Sequence, residues 1–134
     1  MSRSGYGCYS EYGNQINLYR GRVTRAIRGK RGQKFLVELA LAMDAMPEKK
    51  LIRNELIAEN GEMCTIGVIC KTRGIDVKGV EVDDSEQVAD LVGIAQSMAS
   101  EIEYENDECG RLKETSDDRW IRMRKWVDRQ IVRK

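Results

Sequence analysis

Ile16, Tyr19, Val23 and Ile27 recur at steps of three and four residues. That spacing gives a helix one apolar face. Arg22, Arg25 and Arg28 fall on a different face of the same helix. Gly29 and Gly32 then bracket the tetrapeptide GKRG, which predicts a helix stop and a tight turn. In the next segment, QKFLVELALAMDAM, the residues Phe35, Leu36, Leu39, Ala40, Met43 and Met46 form a broad apolar stripe. This is the strongest helix in the pattern, and Pro47 ends it.

Beyond Pro47 the pattern supports two readings. LIRNELIAENGEMCTIGVI fits a β-hairpin turning at Asn60-Gly61. It fits equally well two short pieces about that turn, the second a helix from about Cys64 to Thr72 stopped by Gly74. Asp84 or Ser85 is suited to cap the next helix. There Val88, Leu91, Val92, Ala95, Met98, Ala99 and Ile102 keep a helical period, with a break predicted at Gly93.

The last helix is TSDDRWIRMRKWVDRQIVRK, with Ser116 as its cap. Asp117 and Asp118 fall in its first turn, and Arg133 and Lys134 at its end, an order that suits the helix dipole. Trp120, Met123, Val127 and Ile131 make its apolar stripe. Arg119, Arg122, Lys125, Arg129 and Arg133 make a separate basic one. The first fifteen residues are rich in Tyr, Gly and Ser and predict a flexible N-terminal arm. The expected fold is therefore mainly α. It is a compact single domain over residues 16–134, with five to six helices and room for one short β-hairpin near residues 54–66.

Composition adds to this in three ways. The chain has 134 residues, one proline and few aromatics, so its core must be built from Leu, Ile, Val, Met and Ala. No apolar run approaches the length of a membrane span, and the opening residues MSRSGYGCYSEYGNQ lack the apolar stretch of a secretory signal. The expectation is a cytosolic protein that makes no use of a membrane. Its four cysteines, Cys8, Cys64, Cys70 and Cys109, are then expected to be reduced thiols.

Charge changes the picture more. The net charge is only +1, but residues 1–78 carry 14 Lys/Arg against 8 Asp/Glu. Residues 79–110 carry no Lys/Arg and 10 Asp/Glu, and residues 111–134 carry 9 Lys/Arg against 4 Asp/Glu. Two runs stand out within these blocks. RGRVTRAIRGKRGQK, Arg20 to Lys34, holds seven cations and no acid. EIEYENDE, Glu101 to Glu108, holds Glu101, Glu103, Glu105, Asp107 and Glu108 at the end of a predicted helix. Carboxylates there oppose the dipole at about 0.3–1 kcal/mol each, so something must compensate them. Either they pair with the chain's own basic segments, or they meet a partner's basic surface in place of a nucleic-acid backbone. The basic run has its own two uses. Arg22, Arg25, Arg28, Lys30, Arg31 and Lys34, supported by Arg122, Lys125 and Arg129, suit phosphates or an acidic partner surface.

Other chemistry finds little footing. A phosphate-binding loop needs glycine five residues before Gly29 and Ser or Thr after Lys30, where the chain has Thr24 and Arg31. A calcium loop starting at Glu105 would need an oxygen ligand at Cys109 and a glutamate at Ser116. There is no histidine and no Cys-x₂-Cys pair to hold zinc. Without histidine the commonest general base is also missing. The sequence points to no metal, no cofactor and no catalytic residue, and so to a non-enzymatic protein.

Several stretches together resemble uncharacterised small accessory proteins encoded by bacteriophages and prophages. They are SRSGY, AIRGKRGQKFLVELALAMDAMPEK, GEMC with RGID downstream, and EIEYENDE. None is a catalytic motif. The resemblance implies a setting in the cytoplasm of a bacterial host cell and a host protein or complex as partner. In that setting the leading expectation is an inhibitor of a bacterial defence system, similar to an anti-CRISPR, which masks a host surface that binds nucleic acid. The alternative is a small nucleic-acid-binding regulator using residues 20–34.

Overall fold

The computed structural model describes residues 13–133, with side chains from Tyr19 onward. Six helices make up the regular structure: α1 (Gly13–Arg28), α2 (Lys30–Asp44), α3 (Thr65–Arg73), α4 (Ser85–Val92), α5 (Gln96–Glu108) and α6 (Ser116–Gln130). Among the described residues there is no strand, and no helix is long and apolar enough to cross a membrane. The protein is mainly helical and folds as one compact domain. Of the expected N-terminal arm, residues 1–12 lie outside the described residues, as does Cys8. Residues 13–15 belong to the first turn of α1.

Local chemistry explains most helix ends. Asp84 caps α4, its carboxylate accepting the Glu86 and Gln87 amides. Gly93 ends that helix in the left-handed conformation, φ 75°, which favours glycine. Helix α6 is capped one residue earlier than expected, with Thr115 Oγ1 accepting from the Asp118 amide at 3.1 Å. The hairpin expected near residues 54–66 reduces to one antiparallel bridge, Ile57 with Met63, closed by the Asn60-Gly61 turn. On either side of the bridge Ala58 N donates to Glu62 O at 2.7 Å and Cys64 N to Leu56 O at 3.0 Å, and α3 then begins at once.

The larger correction concerns GKRG. It is no loop: Gly29 alone separates α1 from α2, and Lys30 and Arg31 already lie in the first turn of α2. Gly32 makes this crossing fit. A Cβ there would stand 2.1 Å from the Ala26 carbonyl oxygen of α1. Gln33 then clamps the junction, its Nε2 donating to Ile27 O at 2.8 Å and to Gln130 O of α6 at 3.0 Å.

Leu36, Leu39 and Met43 of α2 are fully buried, as their stripe predicts. They meet Val23 and Ile27 of α1, Ile66 and Ile69 of α3, and Met123 and Val127 of α6 in one core. Burying each such side chain contributes about 1.5–3 kcal/mol. Helix α5 packs against α1, α3, α4 and α6, and residues on nearly every side of it are buried.

Candidate functional site

The acidic run is carried by this central helix. Glu101, Glu103 and Asp107 are buried, Glu105 is half-buried, and only Glu108 is exposed. Two of the inward carboxylates, Glu101 and Asp107, are held by groups from elsewhere in the fold. Arg20 Nη1 of α1 donates to Glu101 Oε1. Asp107 Oδ1 accepts from the Asn54 amide at 3.2 Å and from Asn106 Nδ2 at 2.8 Å. Asn106, fully buried, accepts from the Thr65 amide and hydroxyl at 3.1 and 2.7 Å and donates to Ile52 O at 2.9 Å. The run thus ties the long 45–64 connection and the start of α3 to the middle of the protein.

The opposed helix dipole is answered from α6. Arg122 donates to the Glu105 carbonyl at 2.6 Å and to the Asn106 carbonyl at 3.2 Å. Arg119 donates to the Asn106 carbonyl at 3.1 Å and to Leu51 O at 3.2 Å. Two guanidiniums therefore close the C-terminal end of α5. Their charge is balanced by buried Glu114, held bidentately by Arg122 at 2.6 and 3.0 Å, with Arg119 at 3.2 Å. This arrangement takes Arg122 out of any external basic surface. Arg119 and Arg122 sit on the apolar side of α6, next in helical order to Met123 and Trp126. That pattern was readable, but the expected basic stripe joined them to the exposed Lys125 and Arg129.

Glu105 is the odd member. Burial, and then the charge of Glu101 one turn away, raise its pKa above the usual carboxylate value. Close by, burial and the charge of Glu105 push the Cys109 thiol up to about 11. Cys64, Cys70 and Cys109 are all free thiols. Among the described residues no group of three or more carboxylates or thiols is placed to hold a metal ion.

The basic run is arranged in the opposite way. Arg22, Arg25 and Arg28 project from the exposed face of α1, and Lys30, Arg31 and Lys34 from the first turns of α2. All six are exposed. Among the described residues, the ion pairs within 4.0 Å engage Arg20, Arg73, Arg111, Arg119, Arg122, Arg124 and Arg133, and none of these six. Glu38, four residues after Lys34, is turned to Arg73, which holds it bidentately at 2.9 and 2.6 Å.

The two runs meet at one place. A cleft of about 360 Å³ between α1, α5 and α6 is lined by Arg20 and Arg28 on one side and by Glu101 and Glu105 on the other, with Trp126 and Gln130 completing it. Arg129, one residue before Gln130, is close enough to act on Glu105. The exposed cations of α1 therefore continue across the cleft to the end of α6. Compared with known proteins, the chain matches no family model, no curated protein and no solved structure.

Proposed function

We propose that this chain is a non-enzymatic binding protein, and that its working surface is the basic face of α1 and the start of α2. The observation that carries the reading is the set of six exposed cations that make no ion pair among the described residues. They stand in a molecule whose other arginines are mostly paired. Holding like charges together on one face is unfavourable for the isolated protein, and a polyanion relieves it. A nucleic-acid backbone suits such a surface, because its phosphates need charge rather than shape.

The acidic run does not compete for this role. Glu101, Glu103 and Asp107 are buried and Arg20 pairs with Glu101, so most of the run offers no ready surface for a basic partner. Should the chain act as a phage-encoded inhibitor of a bacterial defence system, the same cations would grip an acidic surface of the host protein.

The test is binding of the purified chain to a short labelled duplex at several salt concentrations. Four to six phosphate contacts predict a slope of log K against log salt of about −3.6 to −5.4. Replacing Arg22, Arg25 and Arg28 by Ser should lower affinity at least about tenfold at low salt and flatten the slope by roughly 2–3. A chain without measurable duplex binding at low salt, which retains a single host protein from nuclease-treated lysate, would refute the nucleic-acid reading in favour of the inhibitor reading.

A further inference from the structure

Helix α2 has a second exposed feature that polyanion binding does not use. Val37 and Leu41 stand out to solvent, 47% and 67% exposed. They lie one turn apart, outside the stripe that builds the core. At 3.6 residues per turn, Lys34, Val37, Leu41 and Asp44 share an arc of about 80°. Along the helix the order is cation, apolar, apolar, anion. Val132 extends the apolar part. It is 52% exposed, and its amide donates to Gln33 Oε1 at 2.7 Å, which holds it beside the start of α2.

We propose that this face is the interface of a two-fold dimer, with α2 of one copy packed antiparallel to α2 of a second. The pattern is self-complementary. When Val37 of one copy faces Leu41 of the other, Leu41 faces Val37 by symmetry. In the same register Lys34 of each copy falls opposite Asp44 of the other. A two-fold interface requires this property, and few exposed helix faces have it. The groups that would meet are available. Among the described residues Lys34 makes no ion pair within 4.0 Å, and Glu38 is turned to Arg73. Asp44 accepts from Arg124 at 2.8 and 3.0 Å, yet its side chain remains 51% exposed, with room for a second cation.

A second copy fits the face better than an unrelated partner, because only a copy must carry the matching charge at the matching position. The contact is small, on the order of 1,000 Å² in total, at the low end of specific interfaces. Its Kd is then on the order of 10–100 µM. Dimerisation engages Lys34, leaves the cations Arg22, Arg25 and Arg28 of α1 outside the contact, and does not depend on nucleic acid.

The experiment is sedimentation equilibrium of the nuclease-treated full chain from about 5 to about 500 µM, a range that brackets this Kd. A monomer–dimer equilibrium is expected. Leu41→Asp changes a side chain outside the core, so its melting should match the wild type, while its dimer should weaken at least about tenfold. Lys34→Asp should weaken the dimer too, and adding Asp44→Lys should recover most of that loss. A wild-type chain that stays monomeric throughout the range would overturn the proposal, as would a dimer indifferent to Leu41→Asp. A double variant no tighter than Lys34→Asp alone would overturn the antiparallel register.

Discussion

The stretches Arg20–Lys34 and Glu101–Glu108 carry similar densities of like charge, yet one lies on the outside of the protein and the other largely on the inside. What separates them is the company each keeps. On α1, Arg22, Arg25 and Arg28 stand on the face away from Val23 and Ile27 and reach solvent, and even Arg20, which reaches across to Glu101, keeps its side chain half exposed. On α5 the acids alternate with Ile102 and Asn106, and small residues at Ser97, Ala99 and Ser100 let four helices close around them. A charge run is therefore no guide to a binding surface until its helix has been placed. In this protein the groups that hold this helix end come from three distant parts of the chain: Arg20 on Glu101, the Asn54 amide on Asp107, and the Arg119–Arg122 pair on the last backbone carbonyls of α5.

The sharpest way to break this comparison is to neutralise each run in turn. Replacing Glu101, Glu103, Glu105 and Asp107 together by Ser should destroy cooperative unfolding. The substitutions leave Arg20 without its carboxylate and the Asn54 amide without its acceptor, with a combined loss of more than about 3 kcal/mol. A domain of this size has only about 5–15 kcal/mol in total. The same change on a solvated run would leave the fold intact, as the sequence pattern alone would suggest. Replacing Arg22, Arg25 and Arg28 by Ser should shift the melting temperature by only a few degrees, since exposed side chains contribute within about 0.5 kcal/mol each. Equal melting of the two variants, followed by circular dichroism, would show that α5 does not sit where the structure places it.

A smaller effect tests how the basic face is displayed. Gly32→Ala would drive a methyl group against the Ala26 carbonyl, where 2.1 Å is available. Relieving this contact means parting α1 from α2, with an expected loss of about 2–3 kcal/mol in urea unfolding. The cations of the two helices would then no longer share one fixed surface. An unchanged urea midpoint would mean that α1 and α2 do not cross at this point.

The helices were legible wherever one periodic stripe decided the matter. Leu36, Leu39 and Met43 mark α2, Asp84 marks the start of α4, and Gly93 separates α4 from α5. Three features were not legible. The α1–α2 break is one residue long because Gly32 permits a close crossing, and only the partner's backbone shows that need. The 54–66 segment has turn chemistry for a hairpin and does pair about Ile57 and Met63, but α3 begins at Thr65 and cuts the pairing short. The fate of the acidic run depended on contacts far away in sequence, which no local pattern encodes. One signal was available and left unused: Val37 and Leu41 are apolar residues of α2 that do not belong to its stripe.

The finest contrast between the two regions is electrostatic, and Cys109 can read it. The end of α5 puts the thiol of Cys109, an exposed residue, beside Glu105, and the thiol's partial desolvation, then that carboxylate, push it from 9.0 up to about 11. The folded state holds this proton more tightly than the unfolded chain does. The stability linked to it is therefore complete below pH 9 and is lost as the pH rises towards 11. Alkylation by iodoacetamide reports the thiolate directly. In a Cys8→Ser background, with Cys64 and Cys70 buried, the rate should climb only well above the pH at which a free thiol reacts. Glu105→Gln removes the neighbouring charge and should move the profile to lower pH, while Arg22→Gln on the far basic face should leave it where it is. A profile that ignores Glu105→Gln would mean that the carboxylate and the thiol are not neighbours.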